Sequence, residues 1–298
     1  MNIQKTVMVS IVGRPNVGKS TLTNALVGDK VAITSPKPQT TRTRICGILN
    51  QDAIQYIFMD TPGLHKPRSR LGDYMVKVVQ ESISDVDVVL LLVDPVERIG
   101  PPEQALIQRL KETGLPCILS INKIDTIKKE TLLSIIALYQ AAHPFETVVP
   151  ISAKEQEGLD LLLKEISFFA VEGPQLFPDD MTSDQPERQI IAEIVREKML
   201  LCLDREVPHG VAVEVTRFTE RENGIIDLDI TIYCEKASHK GIIIGKKGAM
   251  LKQIAKLARE DIETFMGTKV YMETWVKVKE NWRDNQNWMY HFGYDSSH

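Results

Sequence analysis

The sequence predicts an α/β domain with a mostly parallel sheet flanked by helices, followed by a smaller α+β domain. The first half alternates short apolar segments with longer helical ones, as in parallel sheets, whose strands are buried on both faces and need crossovers. At 298 residues the chain is long enough for two cores. Three prolines and several acids interrupt the pattern between residues 173 and 188. We therefore expect domains at 1–172 and 189–298, joined by a linker at 173–188.

The spacing of apolar residues predicts the strands and helices of each half. In the first half we expect strands near 6–13, 54–60, 86–94, 116–123 and 147–153, with helices near 19–28 and 103–114. In the second half we expect a helix at 189–203, strands at 210–221 and 225–235 paired through "ENG", a helix at 249–267 and a strand at 269–280. The polar and aromatic segment after Trp282 has no predicted structure.

Composition narrows the class of protein. With 43% hydrophobic and 26% charged residues and a net charge of −4, the chain is typical of a soluble globular protein and not of a chain-wide polyanion binder. Its four cysteines form no C-x-x-C pair, which favours a reducing cytosol over a disulfide framework or a zinc site. The most apolar run, "VDVVLLLVD", is far shorter than the roughly 20 residues of a membrane span, so we expect no signal or transmembrane segment.

The segment "GRPNVGKST" follows the first predicted strand and leads into a helix. It matches G-x-x-x-x-G-K-S/T, in which backbone N–H groups cradle phosphates, Lys19 adds a positive charge and Ser20 holds Mg²⁺. A simple glycine-rich turn is the alternative. The predicted nucleotide-binding residues here are Gly13, Arg14, Pro15, Asn16, Val17, Gly18, Lys19, Ser20 and Thr21.

The segment "DTPG" closes a second apolar strand, so Asp60 is expected at the carboxyl edge of the sheet, where nucleotide crevices form. Asp60 is a candidate Mg²⁺ ligand, and the Gly63 N–H a candidate sensor of a γ-phosphate. A plain β-turn is the alternative, because all these residues favour turns. The candidate nucleotide-binding residues are Asp60, Thr61, Pro62 and Gly63.

Two further motifs follow buried strands and predict the base. In "NKID", the Asp125 carboxylate can accept hydrogen bonds from guanine N1–H and the exocyclic amine, which can discriminate by about 10⁴ against adenine. In "SAK", small residues allow backbone amides to approach the base carbonyl. The candidate residues are Asn122, Lys123, Asp125, Ser152, Ala153 and Lys154.

These motifs, in this order, resemble the translation-factor-related branch of P-loop GTPases. The resemblance implies that residues 34–44 form a first switch, in which Thr41 reaches Mg²⁺ and the γ-phosphate. Thr40 is the competing candidate, and a solvated basic loop is the alternative for the whole segment. The implied metal ligands are Ser20, Thr41 and Asp60, and the implied catalytic residues are Lys19, Thr41, Gly63 and Asn16.

The chemistry is expected to be slow. Leu64 stands where related enzymes place a glutamine that orients water, so unassisted hydrolysis on the order of 10⁻⁴ to 10⁻² s⁻¹ is expected. Asn16 resembles the asparagine that helps hold K⁺ in potassium-activated relatives, which implies K⁺ stimulation. Arg14 and Arg42 are weaker candidates for stabilising charge, and we expect both at the surface. The segment 64–75 would be the second switch.

A second glycine-lysine loop, "GIIIGKKGAM", lies in a basic segment. Residues 236–259 contain seven lysines and arginines and no acid, which indicates a local surface for polyanions. G-x-x-G between two helices allows close approach to a nucleic-acid backbone. This is the KH arrangement, and its order α-β-β-α-α-β matches the type II form. The predicted RNA-binding residues are Lys240, Ile242, Ile243, Ile244, Gly245, Lys246, Lys247, Gly248, Lys252 and Lys256, with the three isoleucines as an apolar floor for bases. A solvated helix face and a second nucleotide pocket are the alternatives.

The pairing of both domains over nearly the whole chain resembles the Era family of bacterial ribosome-assembly GTPases. The resemblance implies GTP and GDP as substrate and product with Mg²⁺, and binding to single-stranded 16S rRNA near its 3′ end during assembly of the small (30S) subunit. It also implies RNA and not DNA as partner, a monomer, and a cytoplasmic protein loosely associated with the inner face of the membrane. The alternatives are an RNA-binding factor that hardly turns over nucleotide, and a membrane or cell-cycle signalling GTPase whose KH fold binds protein.

Overall fold

The computed structural model describes residues 3–64, 67 and 69–294. They divide into two compact units. The first comprises 3–32, 41–64 and 75–184. The second comprises 33–40, 67, 69–74 and 185–294, so that two short segments from the first half of the chain belong with the second half.

The first unit is built on one mixed sheet. Its strands are β1 (Lys5–Val12), β2 (Ile45–Gln51), β3 (Ile54–Asp60), β4 (Val88–Val93), β5 (Cys117–Ile121), β6 (Thr147–Pro150) and β7 (Val171–Glu172). The order is β2-β3-β1-β4-β5-β6, and the pairs from β3 to β6 are all parallel. β2 is antiparallel to β3, and β7 pairs antiparallel with the start of β1. The mostly parallel sheet predicted from the sequence is confirmed.

Helices pack against both faces of this sheet. They are α1 (Lys19–Val27), α2 (Arg70–Glu81), which the unit division cuts after residue 74, α3 (Pro101–Thr113), α4 (Lys129–Ala142) and α5 (Leu159–Ser167). Successive residues of β4 serve opposite cores: Leu90 and Leu92 pack with the cluster around α1 and α5, and Leu91 and Val93 with the cluster around α3 and α4. A strand buried on both faces needs a continuous apolar sequence, as in "VVLLLV".

The segment after β7 belongs to the first unit as far as residue 184. The fully buried Gln55 accepts hydrogen bonds from the backbone N–H groups of Leu176 and Phe177 at 2.8 and 2.9 Å, and Ile48 N–H donates to the Thr182 carbonyl at 2.9 Å. The boundaries expected from the sequence, 1–172 and 173–188, therefore differ from the structural division. The prolines correctly indicate a segment without regular secondary structure. Specific hydrogen bonds nevertheless attach this segment to the first unit.

The second unit has the predicted α-β-β-α-α-β order. Its elements are α6 (Glu187–Cys202), β8 (Val211–Glu220), β9 (Ile226–Cys234), α7 (Ala237–Ile244), α8 (Ala249–Met266), β10 (Val270–Val278) and α9 (Gln286–His291). The sheet order is β10-β9-β8, with β8 antiparallel to β9 through the predicted turn and β10 parallel to β9. The helices α6, α7 and α8 cover this sheet with buried residues that include Val195, Ile243 and Ile254.

The C-terminal segment, for which the sequence predicts nothing, is anchored by aromatic residues. Trp282 is fully buried, its indole N–H donates to the Gly210 carbonyl at 3.0 Å, and its ring stacks on Tyr294. The Asp284 carboxylate accepts from the Arg70 N–H at 2.9 Å, which satisfies a donor in the first turn of α2. None of the described helices is both long and apolar enough to cross a bilayer.

Candidate nucleotide site and nucleic-acid surface

The loop after β1 forms a turn that opens onto the first turn of α1. Asn16 and Gly18 have left-handed backbone angles, with φ of 65° and 97°. The residue before α1, Gly18, offers no side chain to cap the helix, so the first-turn N–H groups are available to an anion. The Lys19 side chain is buried and folds back onto the loop, where its ammonium donates to the carbonyls of Gly13 and Arg14 at 3.3 and 3.2 Å.

Burial destabilises the charged form of the Lys19 side chain. Desolvation lowers the pKa of Lys19 from 10.5 to about 8, and the nearby Asp60 carboxylate opposes the shift. A phosphate group beside this ammonium would favour its charged form. The loop therefore has the geometry and the electrostatics of a phosphate site.

Three oxygen-bearing side chains meet at the end of β3. The Asp60 carboxylate accepts from the Ser20 hydroxyl at 2.6 Å and from the Thr41 hydroxyl at 3.4 Å, and the two hydroxyls are 2.8 Å apart. Burial raises the pKa of Asp60, against the influence of Lys19 and the two hydroxyls. Asp60 Oδ1 is buried without a partner of standard geometry among the described residues. A buried, incompletely paired carboxylate beside two hydroxyls is an all-oxygen set that suits Mg²⁺.

The structure separates the two threonine candidates. Thr41 is buried beside Ser20 and Asp60. The Thr40 hydroxyl instead donates to the Lys37 carbonyl at 2.7 Å. Thr41 is therefore the residue placed at the candidate metal site.

Gly63 lies directly against the phosphate loop. A Cβ at this position would be 2.6 Å from the Pro15 Cα, so only glycine fits. Leu64 N–H donates to the Gly13 carbonyl at 3.2 Å, and the Leu64 side chain packs against the core around α3 and α4. Leu64 therefore offers neither a polar group nor a free side chain to a water molecule.

The two arginine candidates behave differently. Arg42 is 2% exposed, so the expectation that it lies at the surface is wrong. Arg14 is partly exposed and pairs with Asp94 and with Glu103, the latter at 3.3 Å. Asn16 is exposed, and its backbone carbonyl accepts a hydrogen bond from the Lys123 ammonium at 2.6 Å.

Asn122 ties the base-side loops to the phosphate loop. Its amide donates to the Val17 carbonyl at 2.8 Å, and its oxygen accepts from the N–H groups of Ala153 and Lys123 at 3.0 and 2.8 Å. The Ser152 hydroxyl donates to Asp125 Oδ1 at 2.6 Å. Asp125 is exposed, so its carboxylate is oriented by Ser152 and open to a ligand.

Lys154, the last residue of this candidate set, is exposed and its ammonium pairs with Glu155 at 2.9 Å. The structure thus brings together the residues predicted around phosphates, metal and base, and leaves the Lys154 side chain at the surface.

The second glycine-lysine loop has the predicted tight geometry. Gly245, Lys247 and Gly248 have positive φ of 71°, 52° and 79°. A Cβ at Gly245 would be 2.7 Å from the Met250 Cβ, so glycine is needed where α8 packs on the loop. Lys246 and Lys247 are exposed at its tip.

The three isoleucines before this loop do not share one role. Ile242 is 50% exposed and Ile244 is partly buried. Ile243 is fully buried in the core of the unit, so its prediction as part of a floor for bases is wrong. Successive residues of α7 point in different directions, and only one can face the core fully.

A groove of about 550 Å³ runs between α8 and β10. It is lined by Ala249, Lys252, Gln253, Ala255, Lys256, Arg259 and Met272. Small residues form part of its wall and basic side chains border it, a combination that suits bases and phosphates of one strand. Of these lining residues, only Lys252 and Lys256 were in the predicted RNA-binding set, and sequence reasoning missed Ala249, Gln253, Ala255, Arg259 and Met272. Helical spacing from Ala249 and Lys256 could have indicated Gln253, whereas Met272 depends on tertiary structure.

Comparison with known proteins matches both units to family models. Residues 8–123 match a model described as 50S ribosome-binding GTPase, and residues 206–283 match a KH domain. Together with the phosphate loop and the glycine-lysine loop, these matches define a P-loop GTPase that carries a C-terminal KH domain.

The chain is similar over nearly its full length to known proteins. It is 52% identical to GTPase Era of Ruminiclostridium cellulolyticum over 98% of both chains, and 51% identical to GTPase Era of Alkaliphilus metalliredigens over 98% of this chain and 99% of that one. Among solved structures, Era in complex with MgGDPNP and nucleotides 1506–1542 of 16S ribosomal RNA has a TM-score of 0.94 and 41% identity, covering 98% of this chain and 99% of that one. An Aquifex aeolicus Era variant bound to GDP·AlF4⁻ has a TM-score of 0.93 and 41% identity, covering 97% of this chain and 99% of that one. The chain belongs to the Era family of GTPases.

Proposed function

We propose that this GTPase is a nucleotide-dependent switch that binds single-stranded RNA at the 3′ end of 16S rRNA and acts in assembly of the small ribosomal subunit. The observation that carries the proposal is that one chain holds both a phosphate-and-metal site and a basic groove beside a G-x-x-G loop. The solved Era complex contains nucleotides 1506–1542 of 16S rRNA, which supports this choice of RNA.

At the nucleotide site we assign the loop from Gly13 to Thr21 to the phosphates, with Lys19 at the β- and γ-phosphates. Ser20, Thr41 and Asp60 would hold Mg²⁺, which when bound neutralises developing charge on the phosphate oxygens. Gly63 lies against Pro15 of the phosphate loop, and its N–H is the candidate γ-phosphate contact.

We assign guanine recognition to Asp125, oriented by the hydrogen bond from Ser152. The test is Asp125→Asn, because an amide can donate to a carbonyl at purine C2 but cannot accept two donors as a carboxylate does. GTP affinity should fall by at least about 100-fold, while xanthosine triphosphate should bind better than to the wild type. Unchanged GTP affinity would contradict the assignment.

Hydrolysis transfers the γ-phosphoryl group to water, breaking its bond to the β-γ bridging oxygen and leaving GDP. Leu64 offers no hydrogen bond to that water, so we propose a low intrinsic rate. We further propose that Asn16 helps K⁺ to stimulate the reaction. Single-turnover phosphate release should be faster in K⁺ than in Na⁺, and Asn16→Ala should remove the difference.

For RNA we assign Lys240, Lys246, Lys247, Lys252 and Lys256 to phosphates, and the groove walls to bases. The double substitution of Lys246 and Lys247 by Asp should weaken RNA binding and reduce its salt dependence by about two charges or more. The matched control is the same change at the adjacent, exposed Lys128 and Lys129, at the start of α4. RNA binding that survives the loop substitution would favour a protein partner for the KH fold.

We propose a monomer that works in the cytoplasm. Loose association with the inner membrane face rests on the family resemblance alone. Sedimentation with vesicles of bacterial lipid composition tests it directly, and absence of cosedimentation would remove it.

A further inference from the structure

Residues 33–40, which overlap the predicted first switch at 34–44, belong to the second unit and are held by buried charges on α6. The Thr34 N–H donates to Glu197 Oε1 at 2.8 Å, and the Arg196 guanidinium donates to the Thr40 carbonyl. Arg196 and Glu197 are 1% and 3% exposed. The segment is therefore held by two fully desolvated side chains of one helix.

The Glu197 carboxylate is also linked to α8, through Lys198. Its second oxygen, Oε2, accepts from the Lys198 ammonium at 2.9 Å, and Lys198 also donates to Asp261 Oδ2 at 2.5 Å. Asp261 lies on α8, two residues after Arg259, which lines the basic groove. Thr34, Glu197, Lys198 and Asp261 thus form a continuous polar network from the switch segment to the helix that borders the groove.

Breaking one hydrogen bond of this buried network is energetically costly. If residues 33–40 moved away, the buried Glu197 would lose the Thr34 donor, and a buried charge that loses partners is strongly disfavoured. Thr41, the next residue after the held segment, contacts Ser20 and Asp60 in this same structure. In this structure the complete network and the position of Thr41 at the candidate metal site occur together.

We propose that Glu197, Lys198 and Asp261 are positioning residues that couple the nucleotide site to the RNA groove. GTP with Mg²⁺ favours Thr41 at the metal site. That position of Thr41 favours the complete network, and the complete network holds α8 in the orientation that binds RNA. The inference rests on the proposed function, since it needs both ligands. By linkage, RNA then tightens GTP binding by the same factor by which GTP tightens RNA binding.

The test measures this factor in the full-length protein. The probes are a non-hydrolysable GTP analogue and an RNA of the 16S segment 1506–1542 found in the solved Era complex. Each is titrated alone and in the presence of the other. The variants are Asp261→Asn, at a partner that is 33% exposed, and Lys198→Met. Glu222→Gln, in the exposed turn between β8 and β9, is the control with the same charge change as Asp261→Asn.

The wild type and the control should show a common factor of about 5-fold to 150-fold. In both network variants the factor should fall close to one, while the affinity for each probe alone stays within about threefold of the control. A merely structural role would instead lower the separate affinities and leave the factor intact. Urea unfolding checks both variants, and if Lys198→Met does not fold, Asp261→Asn decides.

The proposal is overturned if both variants keep the wild-type factor, or if the wild type itself shows a factor of one. In the first case the proposed function stands. In the second case separate binding of nucleotide and RNA remains, but RNA binding is no longer nucleotide-dependent, so the switch part of the proposed function fails. Failure of either probe to bind the wild type alone would overturn the proposed function as well.

Discussion

Replacing Asn122, one of the candidate base-side residues, by alanine should loosen the nucleotide site. Asn122 is 2% exposed and makes three hydrogen bonds, to Val17, Lys123 and Ala153, which join the phosphate loop to both base-side loops. Each hydrogen bond contributes about 1 kcal/mol net. The sum is about 3 kcal/mol of unfolding free energy, before any relaxation of the loops.

The assay is urea denaturation with and without GDP. The transition that GDP shifts to higher urea reports on the first unit, because ligand binding stabilises the unit that binds it. Asn122→Ala should move that transition by about 3 kcal/mol and weaken GDP binding by at least about tenfold, while Asn223→Ala, in an exposed turn, should change neither. A loss below about 1 kcal/mol with unchanged GDP affinity would refute the view that Asn122 joins the three loops.

Three further outcomes are expected. The pKa of Lys19 is lowered to about 8, and its charged form binds phosphate, so GTP binding should take up a proton and weaken as the pH rises from about 7 to about 9. Calorimetry in buffers of different ionisation enthalpy measures the proton uptake, and equal apparent enthalpies in these buffers would contradict it. Burial raises the pKa of Cys46 and Cys117 to about 12, so both should resist a thiol reagent at neutral pH until denaturant is added, as read by mass spectrometry. Asp284→Ala should cost about 1 kcal/mol and speed amide exchange of Arg70, whereas unchanged exchange would show that this cap contributes nothing.

The convergence of the candidate nucleotide-site residues could be predicted from the sequence because of sheet geometry. In a parallel sheet the carboxyl ends of neighbouring strands lie at one edge, so motifs after β1, β3 and β5 must converge. Lys19, Asp60 and Asn122 are placed in this way, and their hydrogen bonds agree with it. The G-x-x-G turn was equally predictable, since positive φ at Gly245 and Gly248 is what glycine permits.

The remaining features depend on tertiary contacts that no local pattern encodes. Thr40 and Thr41 are chemically identical, and only the packing of the loop decides which one reaches Ser20. Ile243 belongs to an apolar run, and only its packing in the core with residues of the sheet and of the other helices distinguishes it from Ile242 and Ile244. Arg42 is buried although its surroundings in the sequence are polar.

The assignment of residues 33–40 and 69–74 to the second unit has a practical consequence for dissecting the protein. A fragment ending at residue 184 would keep every recognisable GTPase motif, yet it would lose Arg196, Glu197 and Asp284. Their side chains hydrogen-bond to the backbone of both predicted switch segments. Kinetic constants measured on such a fragment would describe a nucleotide site whose predicted switch segments lack these hydrogen bonds. A boundary drawn after the last GTPase motif therefore differs from the boundary that keeps these hydrogen bonds, and only a chain that includes α6 and Asp284 retains them.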